Sequence, residues 1–164
     1  MILNLKYPPT PEAAPQHAAL IVETAREVSA VDLDYSIASL EQVDRIIGEW
    51  HEEGVPEESI GSTLFGFGCY VGEVFVRHAG ARWVSSAGTE MERFAGFDIV
   101  LQMGSDGMVN PIGKVFKRLA NGTEDNLPYF YTVFAGTPAA PAPTSASGKA
   151  GFLGRLFGRF RGTA

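Results

Sequence analysis

The chain has 164 residues, 45% hydrophobic and 20% charged, which fits one globular domain with an appendage. A domain of this size buries roughly two-thirds of its unfolded surface and needs no covalent staples, and the single cysteine, Cys69, excludes an intrachain disulfide framework. The net charge of −6 hides a division. Of the 13 basic residues, Lys149, Arg155, Arg159 and Arg161 fall in residues 135–164, which hold no acid, so residues 1–134 keep nine against all 19 acidic residues. Such an acidic body repels nucleic acid, which is therefore not an expected partner.

The opening "MILNLKYPPT" is too short and too polar for a signal peptide, and no run approaches the roughly 20 apolar residues of a membrane-spanning helix. The expected compartment is the cytoplasm. Residues 1–9 are read as irregular because of their prolines. Thr10 is placed to cap a helix with Pro11 at its first position, running to about Ala30, with Pro15 delaying its regular start. "VDLDYS" at 31–36 has the alternation of a strand or an extended connector. Ser36 then caps a helix over 37–53 with Ile37, Leu40, Val43, Ile46, Ile47 and Trp50 on its apolar face. Glu41, Asp44, Arg45, Glu49, Glu52 and Glu53 are assigned to the opposite side, and Gly54 closes it.

Pro56, Glu57 and Glu58 open a third helix that ends near His78 and Gly80. "ARWV" reads as a short strand, "SSAGTEMERFAG" as a polar connection with a turn of helix, and "FDIVLQM" at 97–103 as the clearest strand. "GSDG" is a hairpin-type turn with Met108 and Val109 beginning the return. Asn110 caps "PIGKVFKRLANG", with Lys114, Lys117 and Arg118 near its negative end. "TEDNLPYFYTVFAG" is read as helical from Thr123 and interrupted by Pro128. The fold class is α+β: one domain at residues 10–134, with several helices on a small antiparallel sheet. A Pro/Ala/Ser linker at 135–148 and a disordered basic tail at 149–164 follow.

The third helix sets a question. Leu64, Phe65, Phe67, Cys69, Tyr70, Val71, Val74 and Phe75 cover most of its circumference, the mark of a central helix. Gly61, Gly66, Gly68 and Gly72 each lower its stability by about 1 kcal/mol relative to alanine, which implies close approach by other elements. Yet Glu73 and Arg77 lie in it, four residues apart in the favourable order for an ion pair. A buried carboxylate needs a partner. One reading is a structural pair, joined by Arg82 or the Tyr70 hydroxyl. The other makes Glu73, with Arg77 and Arg82, the acid–base or ligand-orienting group of a small enzyme or binding domain. A wide helical arc between Glu73 and His78 speaks against their joint action.

"LDYSIASLEQVDRII" followed by "FGCYVGEVFVRHAGARWV" resembles an uncharacterised bacterial domain family with an "LDYS…SL" segment and a "YxGEVxxR…G…W" block. "NPIGKVFKRLANGTEDNLPYFY" resembles the end of the same domain. The matching positions are Leu33, Asp34, Tyr35, Ser36, Leu40, Gly68, Tyr70, Gly72, Glu73, Arg77, Gly80 and Trp83. The resemblance spans about residues 30–134 and implies a small α+β domain without an established activity.

Other chemistry is sparse. His17, His51 and His78 are far apart and read as surface residues, and no metal-ligand spacing or cofactor motif occurs. "GFGCYVG" follows a helical segment instead of a strand, unlike a dinucleotide loop. Tyr129, Phe130, Tyr131 and Phe134 read as core packing, part of which could line a groove. In "KAGFLGRLFGRFRGTA" the apolar Phe152, Leu153, Leu156, Phe157 and Phe160 recur at helical spacing beside Arg155, Arg159 and Arg161. Three outcomes suit this tail: contact with an anionic membrane surface at its inner face, recognition by a protein partner, or folding back on the acidic body. The sequence therefore points to a non-catalytic interaction module carrying a basic amphipathic tail.

Overall fold

The computed structural model describes residues 3–136, so the expected tail and nearly all of the linker lie outside the described residues. The body is α+β as expected. Five α-helices pack on a three-stranded antiparallel sheet of order β1-β2-β3.

Helix α3, Glu57–Ala79, is the axis, and every residue from Leu64 to Phe75 is buried. Its length and mean hydropathy of 1.3 would suit a membrane span, but 72% of that window is buried inside the domain. Its glycines mark close approaches. A Cβ at Gly66 would lie 2.6 Å from Ile21 Cγ1 of α1, Ala14–Ser29, and one at Gly68 would lie 2.5 Å from the Ile112 Cα of α4, Pro111–Asn121. The neighbouring helices sit on α3 because those side chains are missing, which offsets the glycines' low helix propensity. Helix α3 ends at Gly80, whose φ of 67° is the left-handed geometry that suits glycine.

Helix α1 starts later than the Thr10 signal suggests. Residues Pro11–Ala13 form a 3-10 turn, and Thr10 accepts from the Ala13 and Ala14 amides through its carbonyl, each at 3.1 Å, not through its side chain. Residues 31–36 form an extended connector without strand pairing. Helix α2, Ser39–Glu52, begins two residues later than expected, and Ser36 Oγ accepts from the Ser39 amide at 3.1 Å in the turn that leads into it.

Strands β1 (Arg82–Ser85), β2 (Ile99–Met103) and β3 (Gly107–Val109) are joined in register by Trp83 opposite Leu101 and Leu101 opposite Val109. Asn110 caps α4 as expected, its Oδ1 accepting from the Gly113 amide at 2.8 Å. The end of the domain differs from the sequence reading. Gly122–Asp125 is a 3-10 turn, and Pro128 lies in the first turn of α5, Leu127–Ala135, behind the Asn126 cap. Proline lacks an N–H and is harmless in a first turn, so it begins this helix instead of interrupting one.

Candidate functional site

The conspicuous carboxylate is anchored by an indole. Glu73 is 6% exposed, and its Oε1 accepts from Trp83 Nε1 on β1 at 2.9 Å. Gly72 makes this possible, because a Cβ there would overlap the Trp83 Cζ2 atom. Arg77 Nε stands 3.9 Å from Glu73 Oε2, beyond hydrogen-bond reach, and the Arg77 side chain is 48% exposed. The expected i,i+4 pair is therefore a weak, solvent-screened attraction. The other two expected partners do not join. Tyr70 hydroxyl accepts from the Tyr35 amide at 2.8 Å and shares a hydrogen bond with Ser39 Oγ at 2.6 Å. Arg82 reaches across the sheet to Gln102 Oε1, through Nη2 at 2.7 Å and Nε at 3.2 Å. Glu73, Arg77, Arg82 and Tyr70 thus belong to three separate networks and do not converge on one point.

Only Tyr70 and Arg77, together with His78, meet at the 31–36 connector. Tyr35 has φ of 60°, a conformation that non-glycine residues rarely adopt and that needs support from its surroundings. Its amide donates to Tyr70, its carbonyl meets His78 Nε2 at 2.9 Å, and its ring stacks on Tyr70 with centroids 4.8 Å apart. The Arg77 guanidinium lies over the same ring, 3.5 Å from its centroid, in cation–π geometry. Asp34 Oδ1 accepts from the Ser36 amide at 2.9 Å, and the Ser36 hydroxyl, with this amide, holds its carboxyl below the usual range. Burial pushes the Tyr35 phenol up, opposed by the Arg77 charge, and pushes the Tyr70 phenol up, opposed by the Ser39 bond. The "LDYS" and "YxGEVxxR" segments are two halves of one clamp, with α3 gripping the connector that leads into α2.

A second charged site was misassigned from sequence. Asp44 is buried instead of lying on the solvent side of α2, and Arg118, in the last turn of α4 as expected, is buried with it. Arg118 donates to both Asp44 oxygens, Nε at 2.9 Å and Nη2 at 3.1 Å, while Asp44 Oδ1 also accepts from the Leu127 amide at 2.8 Å. Gly48 makes room, since a Cβ there would stand 2.6 Å from Arg118 Nη2. The bidentate geometry ties α2, α4 and α5 together. The usable signal was position, because Asp44 is four residues after Leu40 and three before Ile47, on the apolar arc itself.

The histidines split. His17 is buried, with Nε2 3.1 Å from the Pro8 carbonyl and its ring edge-on to Tyr7 and Phe65, contrary to the surface reading. His51 and His78 are exposed residues, each bonded to a backbone carbonyl. Cys69 is buried, and burial raises its thiol well above the ordinary value. Among the described residues no group of three or more His, Cys, Asp and Glu side chains is placed to hold a metal ion.

Among the described residues, two of the open recesses carry large apolar side chains on their walls. The larger, about 400 Å³, lies between α4, α5 and the segment before β2, with Met91, Phe94, Met108, Phe130 and Phe134 on its walls and Lys114 and Lys117 at its side. Lys114 bonds Asp125 at 2.6 Å, which holds that carboxyl low. The expected aromatic cluster is divided by this recess. Phe130 and Tyr131 pack on Phe75 in the core, while Tyr129 and Phe134 are exposed. The smaller recess, about 180 Å³, is a groove among α1, α2 and α3 lined by Val28, Ile46, Trp50, Ile60 and Phe67. In comparisons with known proteins, no family model, no curated protein and no solved structure matches this chain.

Proposed function

We propose that the chain is a non-catalytic interaction module. Its α+β body presents aromatic surface to a protein partner, and its basic segment, residues 149–164, contacts an anionic membrane surface. The observation that carries this reading is the exposure of large apolar side chains beside an open recess: Phe94 is 79% and Phe134 48% exposed. Solitary exposed apolar residues are ordinary, but aromatic residues gathered at a cleft favour a binding surface. The competing reading, in which Glu73 acts with Arg77 and Arg82 on a substrate, requires a carboxylate free to meet one. Here one oxygen receives the indole and the two arginines are engaged elsewhere. We also propose membership of the uncharacterised bacterial family that the motifs resemble, and a cytoplasmic location with contact to the inner face of the membrane.

Four cations near an anionic surface contribute about 1 kcal/mol each, and burial of the tail's aromatic residues adds to this. The test is co-sedimentation with phosphatidylserine-containing vesicles and with phosphatidylcholine vesicles, using the full chain and a chain ending at residue 148. The full chain is expected to sediment with the anionic vesicles only and to be released by salt, and the shortened chain to stay in solution. Retention of neither form on anionic vesicles eliminates the membrane contact.

A further inference from the structure

The groove among α1, α2 and α3 has an apolar floor and an acidic rim. Val28, 78% exposed, and Trp50 flank it. Glu27, Glu49 and Glu57 stand three residues along their helices from the lining residues Thr24, Ile46 and Ile60, and Glu53, which caps α2, follows Trp50 by three, so Glu49 and Glu53 border the apolar arc at this groove instead of lying fully opposite it. Of the cations on these helices, Arg26 on α1 is paired with Asp32 at 2.7 Å, and Arg45 on α2 stands four residues before Glu49. The larger recess lacks such a rim: Lys114 there is paired with Asp125 at 2.6 Å, and Lys117 adds a positive charge. A ligand made of aromatic side chains and arginines is favoured by the first site over the second.

We propose that this groove receives the chain's own tail. Phe152, Leu153, Leu156, Phe157 and Phe160 would fill the apolar floor, and Arg155, Arg159 and Arg161 would meet the four acids. The proposal rests on the same view of residues 149–164 as a contact segment, and adds an internal site that competes with an outside surface. Reach permits it. The described chain ends beyond α5, which packs on α2, one wall of the groove. The 12 residues 137–148 can cover about 37 Å at about 3.1 Å each. A body of this length is only about 36 Å across, from a radius of gyration near 14 Å.

The test uses the full chain with Thr163→Cys carrying a spin label, since Cys69 is buried and its thiol stays protonated. The expected result is paramagnetic loss of the Trp50 indole signal and of the Thr24 and Val28 amides, with the Trp83 indole unaffected and no change on dilution. Arg155→Glu/Arg159→Glu/Arg161→Glu should restore these signals. Val28→Lys, a substitution at an exposed position, should restore them as well. Equal loss at Trp50 and Trp83, loss centred on Phe94 and Phe134, loss that disappears on dilution, or loss that persists with Val28→Lys overturns the internal site. Failure of the membrane reading is separable. Vesicles that retain no form, together with Trp50 loss in buffer, leave the internal site standing alone. Vesicle retention without Trp50 loss leaves only the membrane contact.

Discussion

Gly72→Ala is the substitution on which the reasoning about α3 is most exposed. In an ordinary helix interior the change stabilises by about 1 kcal/mol, because alanine is the better helix former. Here the new methyl would occupy the space of the Trp83 indole. The ring has to move, and its Nε1–H leaves Glu73 Oε1, now 2.9 Å away. A hydrogen bond to a charged group contributes about 1.5–3 kcal/mol, and forcing extra volume into a packed site adds about 1–3 kcal/mol. After the alanine gain is subtracted, the net loss is about 1.5–5 kcal/mol. For a body of this size that corresponds to a fall in Tm of about 5–20 °C by differential scanning calorimetry. A double-mutant cycle isolates the cause. In a Trp83→Ala background the ring is gone, and Gly72→Ala should then cost little or stabilise. A rise in Tm for Gly72→Ala in the native background would refute the indole–carboxylate account and with it the architectural role given to Glu73.

Two further outcomes follow from the buried groups. Asp44→Ala should lower stability by about 3–5 kcal/mol in urea unfolding, because it orphans the Arg118 guanidinium in the core and also leaves the Leu127 amide without its acceptor. Asp44→Leu/Arg118→Met should lose less than the sum of the single changes, and strict additivity would contradict the pairing. Stability should also fall in alkali. Burial raises the Tyr70 and Tyr35 phenols above their ordinary value near 10, so the folded state holds these protons more tightly than the unfolded chain. Their contribution is therefore complete below about pH 10 and is lost as pH rises from there through the folded values. The urea midpoint should decline in that window, and a flat profile to pH 11 would contradict the burial.

By itself the sequence determined the elements and their order. Pro11, Pro56 and Pro111 begin helical segments, Gly54 and Gly80 end helices in left-handed geometry, and the alternation at 97–103 marks the central strand. These signals are local, set by the backbone limits of proline and glycine and by periodicity, and they act before anything packs. The sequence also marked α3 as the core and Glu73 as a group in need of a partner.

Which partner it would have was decided only by the tertiary structure. An i,i+4 cation is always near in sequence, but Arg77 turned outward onto Tyr35, and a tryptophan ten residues on supplied the hydrogen bond. The same holds for Asp44 and Arg118, 74 positions apart. A side chain's hydrogen-bonding partner depends on which surfaces meet when helices dock, and that is set by volumes and vacancies such as those at Gly48 and Gly72. Spacing along one helix carries no information about what the neighbouring element brings to the contact.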